Sequence, residues 1–315
     1  MKSRMSSKLS STKKVPVIDL GHLGLGQEPG QEEWQRVTRE LYNALTEFGC
    51  SYLANHGVPD DQWRLLYDST IAFFNLEQGK KDRYAFDADK LSGYIGMGSE
   101  SYSGSTRELC EGLLARRTEQ LPDEPEIPSL KPAAESFLKS CKELSERIMA
   151  ALSLSLGKDP EHLLSIHKER GTDKNITTLR FNHYPPVPST IPEGTFRFGA
   201  HRDFGTITFI FQDDCGGLQV QDSEGSWFDV TPVPGTIFLL AGEFLQFHSG
   251  EKFLAPTHKV LIPAGEEARG TARVSILYFV APDNHIPMRP PGNPSTDTPM
   301  TVQEYITSSI KNAQK

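Results

Sequence analysis

Between residues 206 and 280 the chain is a series of short β-prone runs separated by turn residues, and no other feature constrains its fold as tightly. Thr206-Ile207-Thr208-Phe209-Ile210-Phe211 is β-branched and aromatic, Asp213-Asp214-Cys215-Gly216-Gly217 is turn material, and Leu218-Gln219-Val220-Gln221 alternates apolar and polar with period two. Ser223-Glu224-Gly225-Ser226 makes the next turn and Trp227-Phe228-Asp229-Val230 another short strand. Pro232-Val233-Pro234-Gly235 then breaks the chain before Thr236-Ile237-Phe238-Leu239-Leu240. Residues 258–262 and 273–280 continue the series. Strands this short and close leave no room for crossover helices, so they predict an antiparallel sandwich or barrel and not a parallel sheet.

His201-Arg202-Asp203 stands at the head of this series. On a strand, positions i and i+2 leave the same face, so His201 and Asp203 point together. His258, at the start of a later strand-like run, can add a second imidazole. Two His and one carboxylate on one triangular face leave up to three octahedral positions open, which suits non-haem Fe(II) and its oxygen chemistry. The tripeptide alone is weak, because a chain of this composition contains H-x-D by chance about every second time. His167-Lys168-Glu169 has the same spacing but lies in the charged, helix-like run 161–170. There i and i+2 diverge, so it reads as a solvated helix end. His248 rivals His258, but Phe247-His248-Ser249-Gly250-Glu251-Lys252 reads as a polar turn, whereas His258 begins an apolar strand.

Five motifs follow one another in order: His201-Arg202-Asp203-Phe204-Gly205-Thr206-Ile207-Thr208, Gly216-Gly217-Leu218-Gln219-Val220, Trp227 with Pro232-Val233-Pro234-Gly235, Thr257-His258-Lys259-Val260, and Arg273-Val274-Ser275. Val15-Pro16-Val17-Ile18-Asp19-Leu20, Phe48-Gly49-Cys50-Ser51-Tyr52-Leu53-Ala54-Asn55-His56-Gly57-Val58-Pro59 and Phe73-Phe74-Asn75-Leu76 precede them. In these motifs the chain resembles the Fe(II)/2-oxoglutarate-dependent dioxygenases of the isopenicillin N synthase-like family, over roughly residues 15–285. The resemblance implies an α+β fold: a double-stranded β-helix (jelly-roll) core with flanking N-terminal helices and a C-terminal helix. It implies His201, Asp203 and His258 as iron ligands, and Arg273 with Ser275 as the pair that holds the distal carboxylate of 2-oxoglutarate. A guanidinium fork with a hydroxyl beside it suits a carboxylate on physical grounds as well. Arg269, the competing arginine, falls in a loop. Asn182 and Tyr184, in Phe181-Asn182-His183-Tyr184-Pro185-Pro186, match an N-x-Y-P-P motif whose Asn and Tyr contact the cosubstrate. Alternation puts both on one strand face and His183 on the other, as a structural residue. The implied reaction hydroxylates, desaturates or cyclises a small organic metabolite while 2-oxoglutarate and O2 become succinate and CO2. The carboxylate at Asp203 argues against halogenation, for which related enzymes carry a small residue there. Two alternatives stand beside this: an Fe(II) oxidase of the same fold that uses no 2-oxoglutarate, and a catalytically silent ligand-binding relative.

With 315 residues the chain can bury a substantial core. It reads as one integrated domain: a disordered tail over 1–14, a helical and strand region over 15–130, a long helix and the jelly-roll core over 131–285, and a C-terminal loop and helix over 286–315. Trp34, Val37, Leu41, Leu45 and Phe48 predict an amphipathic helix over 33–48, and two more are expected over 61–74 and 133–156. Residues 121–132 carry four prolines and read as a loop. A last helix over 301–310, after the Pro/Gly-rich stretch 287–299, is expected to cover the mouth of the site. The net charge of -8, with basic residues clustered only in the tail, argues against a nucleic-acid partner. No stretch approaches the ~20 apolar residues of a membrane span. The tail is Ser- and Lys-rich without an apolar core, so it does not read as a signal peptide. Cys50, Cys110, Cys141 and Cys215 show no C-x-x-C spacing, which fits reduced thiols in a cytoplasmic protein, expected to be a monomer. Substrate contacts are sought in 93–107, in 196–198 and in the C-terminal stretch, with Tyr102, Arg107, Phe196 and Phe198 as candidates. Glu108 and Arg197 beside them read as solvated or structural charges.

Overall fold

The computed structural model describes residues 14–102, 108–187, 190–191, 195–288 and 299–313. Most of the expected tail, Arg107 and most of the Pro/Gly-rich stretch 287–299 therefore lie outside the described residues. Strands β1 (Val17–Asp19), β2 (Cys50–Ala54), β3 (Gly93–Ile95) and β4 (Glu111–Ala115) come from the first part of the chain. They are followed by β5 (Thr178–Tyr184), β6 (Phe198–His201), β7 (Ile207–Gln212), β8 (Leu218–Gln221), β9 (Trp227–Asp229), β10 (Thr236–Ala241), β11 (His258–Val260) and β12 (Arg273–Val280). Two sheets result: an eight-stranded one in the order β1-β2-β10-β7-β12-β5-β4-β3, and a four-stranded one in the order β6-β11-β8-β9. Phe198, Leu218, Val220 and Val260 of the small sheet share a buried cluster with Tyr184, Ile210, Phe238, Leu240 and Leu277 of the large one. This is the jelly-roll core. The parallel pairing of β1 with β2 departs from the expected antiparallel set. Parallel neighbours need a crossover, and helix α1 (Gln31–Glu47) supplies it.

The other helices are α2 (Asp60–Phe74), α3 (Gln78–Asp82), α4 (Leu130–Ser155), α5 (Glu161–Leu164), α6 (Glu243–His248), α7 (Glu266–Arg269) and α8 (Val302–Ala313). Helices α1, α2 and α4 bury Val37, Leu41, Leu45, Leu66, Phe73, Phe137, Leu144 and Ile148 against the outer face of the large sheet. That face is made by Leu179 and Phe181 of β5, Phe209 and Phe211 of β7, Ile237 and Leu239 of β10, and Ile276 and Tyr278 of β12. With the small sheet covering the inner face, these strands are buried on both sides and read as nearly continuous apolar runs. Polar residues on their inner face are then the exceptions that need a reason. Arg180, Asn182, Tyr184, Thr208, Arg273 and Ser275 are among those exceptions.

Several local expectations change. Helix α4 begins at Leu130, so the loop is shorter than 121–132. Pro132 sits in its first turn, where a missing N–H leaves no helical bond unmade. His248 ends α6 and is not in a turn, and Arg269 lies in α7 and not in an open loop. His167 is no solvated helix end, because α5 stops at Leu164 and the chain then turns inward. His167 is 1% exposed; its Nδ1 lies 2.7 Å from the Leu163 carbonyl and its Nε2 2.7 Å from Thr206 Oγ1. Burial lowers its pKa to about 3. Among the described residues, no helix is long and apolar enough to cross a membrane.

Candidate active site

The inner face of the large sheet is set by register. Across β12 and β5, Arg273 stands opposite Tyr184, Ser275 opposite Asn182, and Leu277 opposite Arg180. One side of this strand pair thus carries two short polar ladders side by side. Arg273 Nη1 donates to Ser275 Oγ at 3.2 Å and Nη2 to Gln212 Oε1 at 3.1 Å, while the guanidinium lies 4.9 Å over the Tyr184 ring. Asn182 Nδ2 donates to the Tyr184 hydroxyl at 3.2 Å. Arg273 is 1% exposed, its hydrogen-bond acceptors are neutral, and its Nε has no partner. A buried guanidinium in such company is costly until an anion arrives, which is the chemistry a carboxylate site needs. His183 faces the other way and stacks on Phe74, with ring centroids 5.1 Å apart.

In the small sheet His258 is the cross-strand partner of His201, and their ring centroids lie 4.3 Å apart. Asp203 is not on the strand: β6 ends at His201, and Asp203 belongs to the segment that leads into β7. Alternation alone therefore does not aim its carboxylate. That is done by Thr208, whose hydroxyl donates to Oδ2 at 2.6 Å, leaving Oδ1 3.7 Å from Nε2 of both histidines. Each imidazole turns Nδ1 toward a backbone carbonyl, Gly199 at 2.9 Å and Pro256 at 3.3 Å. Nδ1–H donation to these carbonyls leaves the Nε2 lone pairs facing the carboxylate. Burial, with His258 and Arg180 nearby, holds the His201 pKa well below that of a free imidazole. Two imidazole nitrogens and one carboxylate oxygen, all within 4.8 Å of one another, form a donor set for a divalent ion. Iron fits this set.

Both groups open onto one cavity. Tyr102 and Phe198 are on its wall, with the Tyr102 ring 4.8 Å from His201 and 5.1 Å from Phe198. Phe196 is elsewhere: it precedes β6, so the alternation that turns Phe198 inward does not reach it. Its ring lies near Lys259, whose Nζ is 5.9 Å from the ring centre. Arg107 is outside the described residues. Glu108 and Arg197 are buried and not solvated. Glu108 Oε1 accepts from the Tyr102 backbone N–H at 2.8 Å and so shapes the segment that carries Tyr102. Arg197 Nη2 donates to the Thr271 carbonyl at 2.8 Å.

Residues 175–282 match the model of the 2OG-Fe(II) oxygenase superfamily, and residues 15–134 match the N-terminal region of the non-haem dioxygenases, described as that of morphine synthesis. A protein named "Probable 2-oxoacid dependent dioxygenase" from Arabidopsis thaliana is 30% identical over 284 residues, covering 88% of this chain and 74% of its own. The chain belongs to the 2OG-Fe(II) oxygenase superfamily. A homoarginine-6-hydroxylase from Glycine max is 27% identical to this oxygenase over 293 residues, 84% of each chain. The fold of a full-length Neurospora crassa protein, solved in complex with 2-oxoglutarate, superposes with a TM-score of 0.82 at 24% identity, covering 94% of this chain and 96% of that one. The cofactors of the oxygenase are Fe(II) and 2-oxoglutarate, with O2 as oxidant. Two wall residues escaped the sequence reading. Arg180 and Glu100 both line the oxygenase's cavity. Arg180 lies two places before Asn182 on β5, and the alternation that pairs Asn182 with Tyr184 extends to it. Glu100 has no local signal, because its partner is 80 positions away.

Proposed function

We propose that this oxygenase hydroxylates a C–H bond of a small organic metabolite, with His201, Asp203 and His258 holding iron and Arg273 with Ser275 holding the distal carboxylate of 2-oxoglutarate. One observation carries the reading: a single cavity is lined both by the His-Asp-His face and by the buried Arg273–Ser275 pair. When bound there, Fe(II) and 2-oxoglutarate supply an O2-driven oxidation that releases succinate and CO2. The chain's own part is placement. The two Nδ1–carbonyl contacts fix the imidazoles, Thr208 fixes the carboxylate, and the β7–β12 register sets the Arg273 fork relative to Thr208. Asn182 and Tyr184 flank the cosubstrate from the neighbouring strand. Tyr102 and Phe198 close the side next to His201, and the apolar walls keep water from the reacting carbon. The Glycine max relative is named for homoarginine, a small metabolite, which supports the substrate class. The four cysteines are free, which supports a reducing compartment such as the cytoplasm.

Anaerobic Fe(II) titration with and without 2-oxoglutarate tests the reading. A visible charge-transfer band is expected only when both are present, and admission of O2 should then yield succinate. Absence of both signals would sink the proposal. An O2-derived product formed with neither band nor succinate would favour the 2-oxoglutarate-independent oxidase.

A further inference from the structure

Resting on the reading above, we propose that the buried Arg180–Glu100 pair is the element that reads the substrate. It selects a net-neutral molecule that presents a hydrogen-bond donor and acceptor side by side, an amino acid zwitterion or a cyclic amide.

The two side chains are 5% and 6% exposed and form a bidentate pair, Nη1 to Oε1 at 3.1 Å and Nη2 to Oε2 at 2.5 Å. Around them the cavity wall is apolar, with Leu91, Leu114, Ile176, Phe204 and Ile306. Burying two charges in such a wall is costly, and apolar residues of similar volume would hold the fold as well or better. Retention of the pair therefore points to recognition. The chain also makes room for it: β4 carries glycine at 112, where a Cβ would come within 3.2 Å of Arg180 Nη2.

The preference for a neutral ligand follows from the balance of the pair. A lone carboxylate on the open Arg180 N–H groups would add an unmatched negative charge beside a buried pair that is already neutral. A lone cation on Glu100 would add an unmatched positive one. A ligand with both groups disturbs neither charge. Of the five guanidinium N–H groups, three are engaged, two by Glu100 and Nε by Asn182 Oδ1 at 2.6 Å. The other two take no part in these bonds, and Arg180 lines the cavity, so they are available to a ligand acceptor. Glu100 Oε1 also accepts from the Tyr102 hydroxyl at 3.4 Å, and Oε2, with one acceptance, keeps a lone pair for a ligand donor. The anchor is also near the chemistry. The Arg180 guanidinium lies 5.1 Å over the Phe198 ring, and Phe198 packs 5.0 Å from His201.

The test uses the full chain with Fe(II) and 2-oxoglutarate. Probes are L-α-amino acids, small cyclic amides, their N-methyl and methyl-ester derivatives, and monocarboxylates and amines of matched size. The readouts are the anaerobic change in the charge-transfer band and succinate formed under O2, each relative to the same protein without probe. In the wild type, at least one amino acid or cyclic amide should raise succinate formation, and blocking its donor or acceptor should cut the response about tenfold or more. Monocarboxylates and amines should do little. Glu100→Gln should shift the preference toward monocarboxylates, because it leaves the Arg180 charge uncompensated. A double variant, Glu100→Leu with Arg180→Met, removes both charges together and protects the fold; it should lose the discrimination. Three results overturn the inference alone: monocarboxylates as the best wild-type probes, a double variant that keeps the wild-type rank order, or succinate formation that no donor–acceptor probe raises. Absence of succinate from the wild type under every condition would instead remove the proposed function, and this inference with it.

Discussion

Thr208 aims the Asp203 carboxylate: its hydroxyl donates to Oδ2 at 2.6 Å in a buried setting and leaves Oδ1 for the ion. Thr208→Val should therefore weaken Fe(II) binding by roughly 10–100-fold, the usual cost of losing an outer partner of a ligand. Asp203→Ala should cost more. Anaerobic titration measures both, and equal affinities for wild type and Thr208→Val would show that the hydroxyl does not orient the carboxylate. His167 carries a second residue-scale prediction, with a definite sign. Its folded pKa, about 3, lies below the ordinary imidazole value, so the unfolded chain binds a proton that the folded one refuses. The stability it supports is whole above about pH 6.5 and is lost progressively as pH falls toward 3. Between pH 6.5 and 5 this amounts to about 2 kcal/mol, read as a falling urea midpoint. His167→Gln should be less stable at pH 7 and lose less on acidification; an unchanged pH slope would contradict the assignment. These residues also show what a sequence can reveal. R-x-S and N-x-Y are i, i+2 strand patterns visible in three letters, whereas H-x-D pointed to the right residues although Asp203 lies past the end of β6. Arg180 obeys the same rule and was readable. His167 was not, because it is buried against Thr206, 39 positions away, and local polarity said the opposite.

Helix α8 shows how elements depend on one another around the cavity. Its Val302 and Ile306 pack with Leu91, Ile176 and Phe244, and Ile306 and Ile310 reach the cavity wall. Tyr305 ties it to α6 through a 2.6 Å hydrogen bond to Glu243, whose own N–H donates to the Asp203 carbonyl at 2.8 Å. At the other end the Ala313 carbonyl accepts from the Ser101 N–H at 2.8 Å, next to Glu100 and Tyr102. Tyr305→Phe should cost α8 about 1 kcal/mol and raise its open population roughly five-fold. Amide hydrogen exchange confined to residues 302–313 measures this, and unchanged protection there would refute it. The elements legible in sequence were those with a period: the stripes of α1, α2, α4 and α8, and the hairpin-linked strands of the core. The parallel β1–β2 pair was not, since three residues of β1 carry no direction of pairing. Nor was the start of α4, where the prolines of 121–132 suggested a loop although a first helical turn accepts one.

At the scale of the whole molecule, the two halves of the site make different demands on the fold. The Arg273 guanidinium is buried among neutral partners, and the His-Asp-His face gathers three lone-pair donors, so each half is unsatisfied on its own. Ligands that satisfy them bind the folded chain and not the unfolded one. At a hundred-fold excess over its Kd, each should add about 2.7 kcal/mol, or several degrees of Tm for a chain of this size. Mn(II) serves as a redox-silent probe of the metal half, in thermal unfolding without O2. Mn(II) alone should raise Tm, and 2-oxoglutarate should add a second increment that is largest with metal present, if the proposed site holds the cosubstrate between its two halves. Arg273→Ala should keep the first increment and lose most of the second; Asp203→Ala should lose both. If Arg273→Ala retained the full 2-oxoglutarate increment, the distal carboxylate would be held elsewhere. Arg197, fully buried with two unpartnered guanidinium nitrogens, would be the next residue to replace.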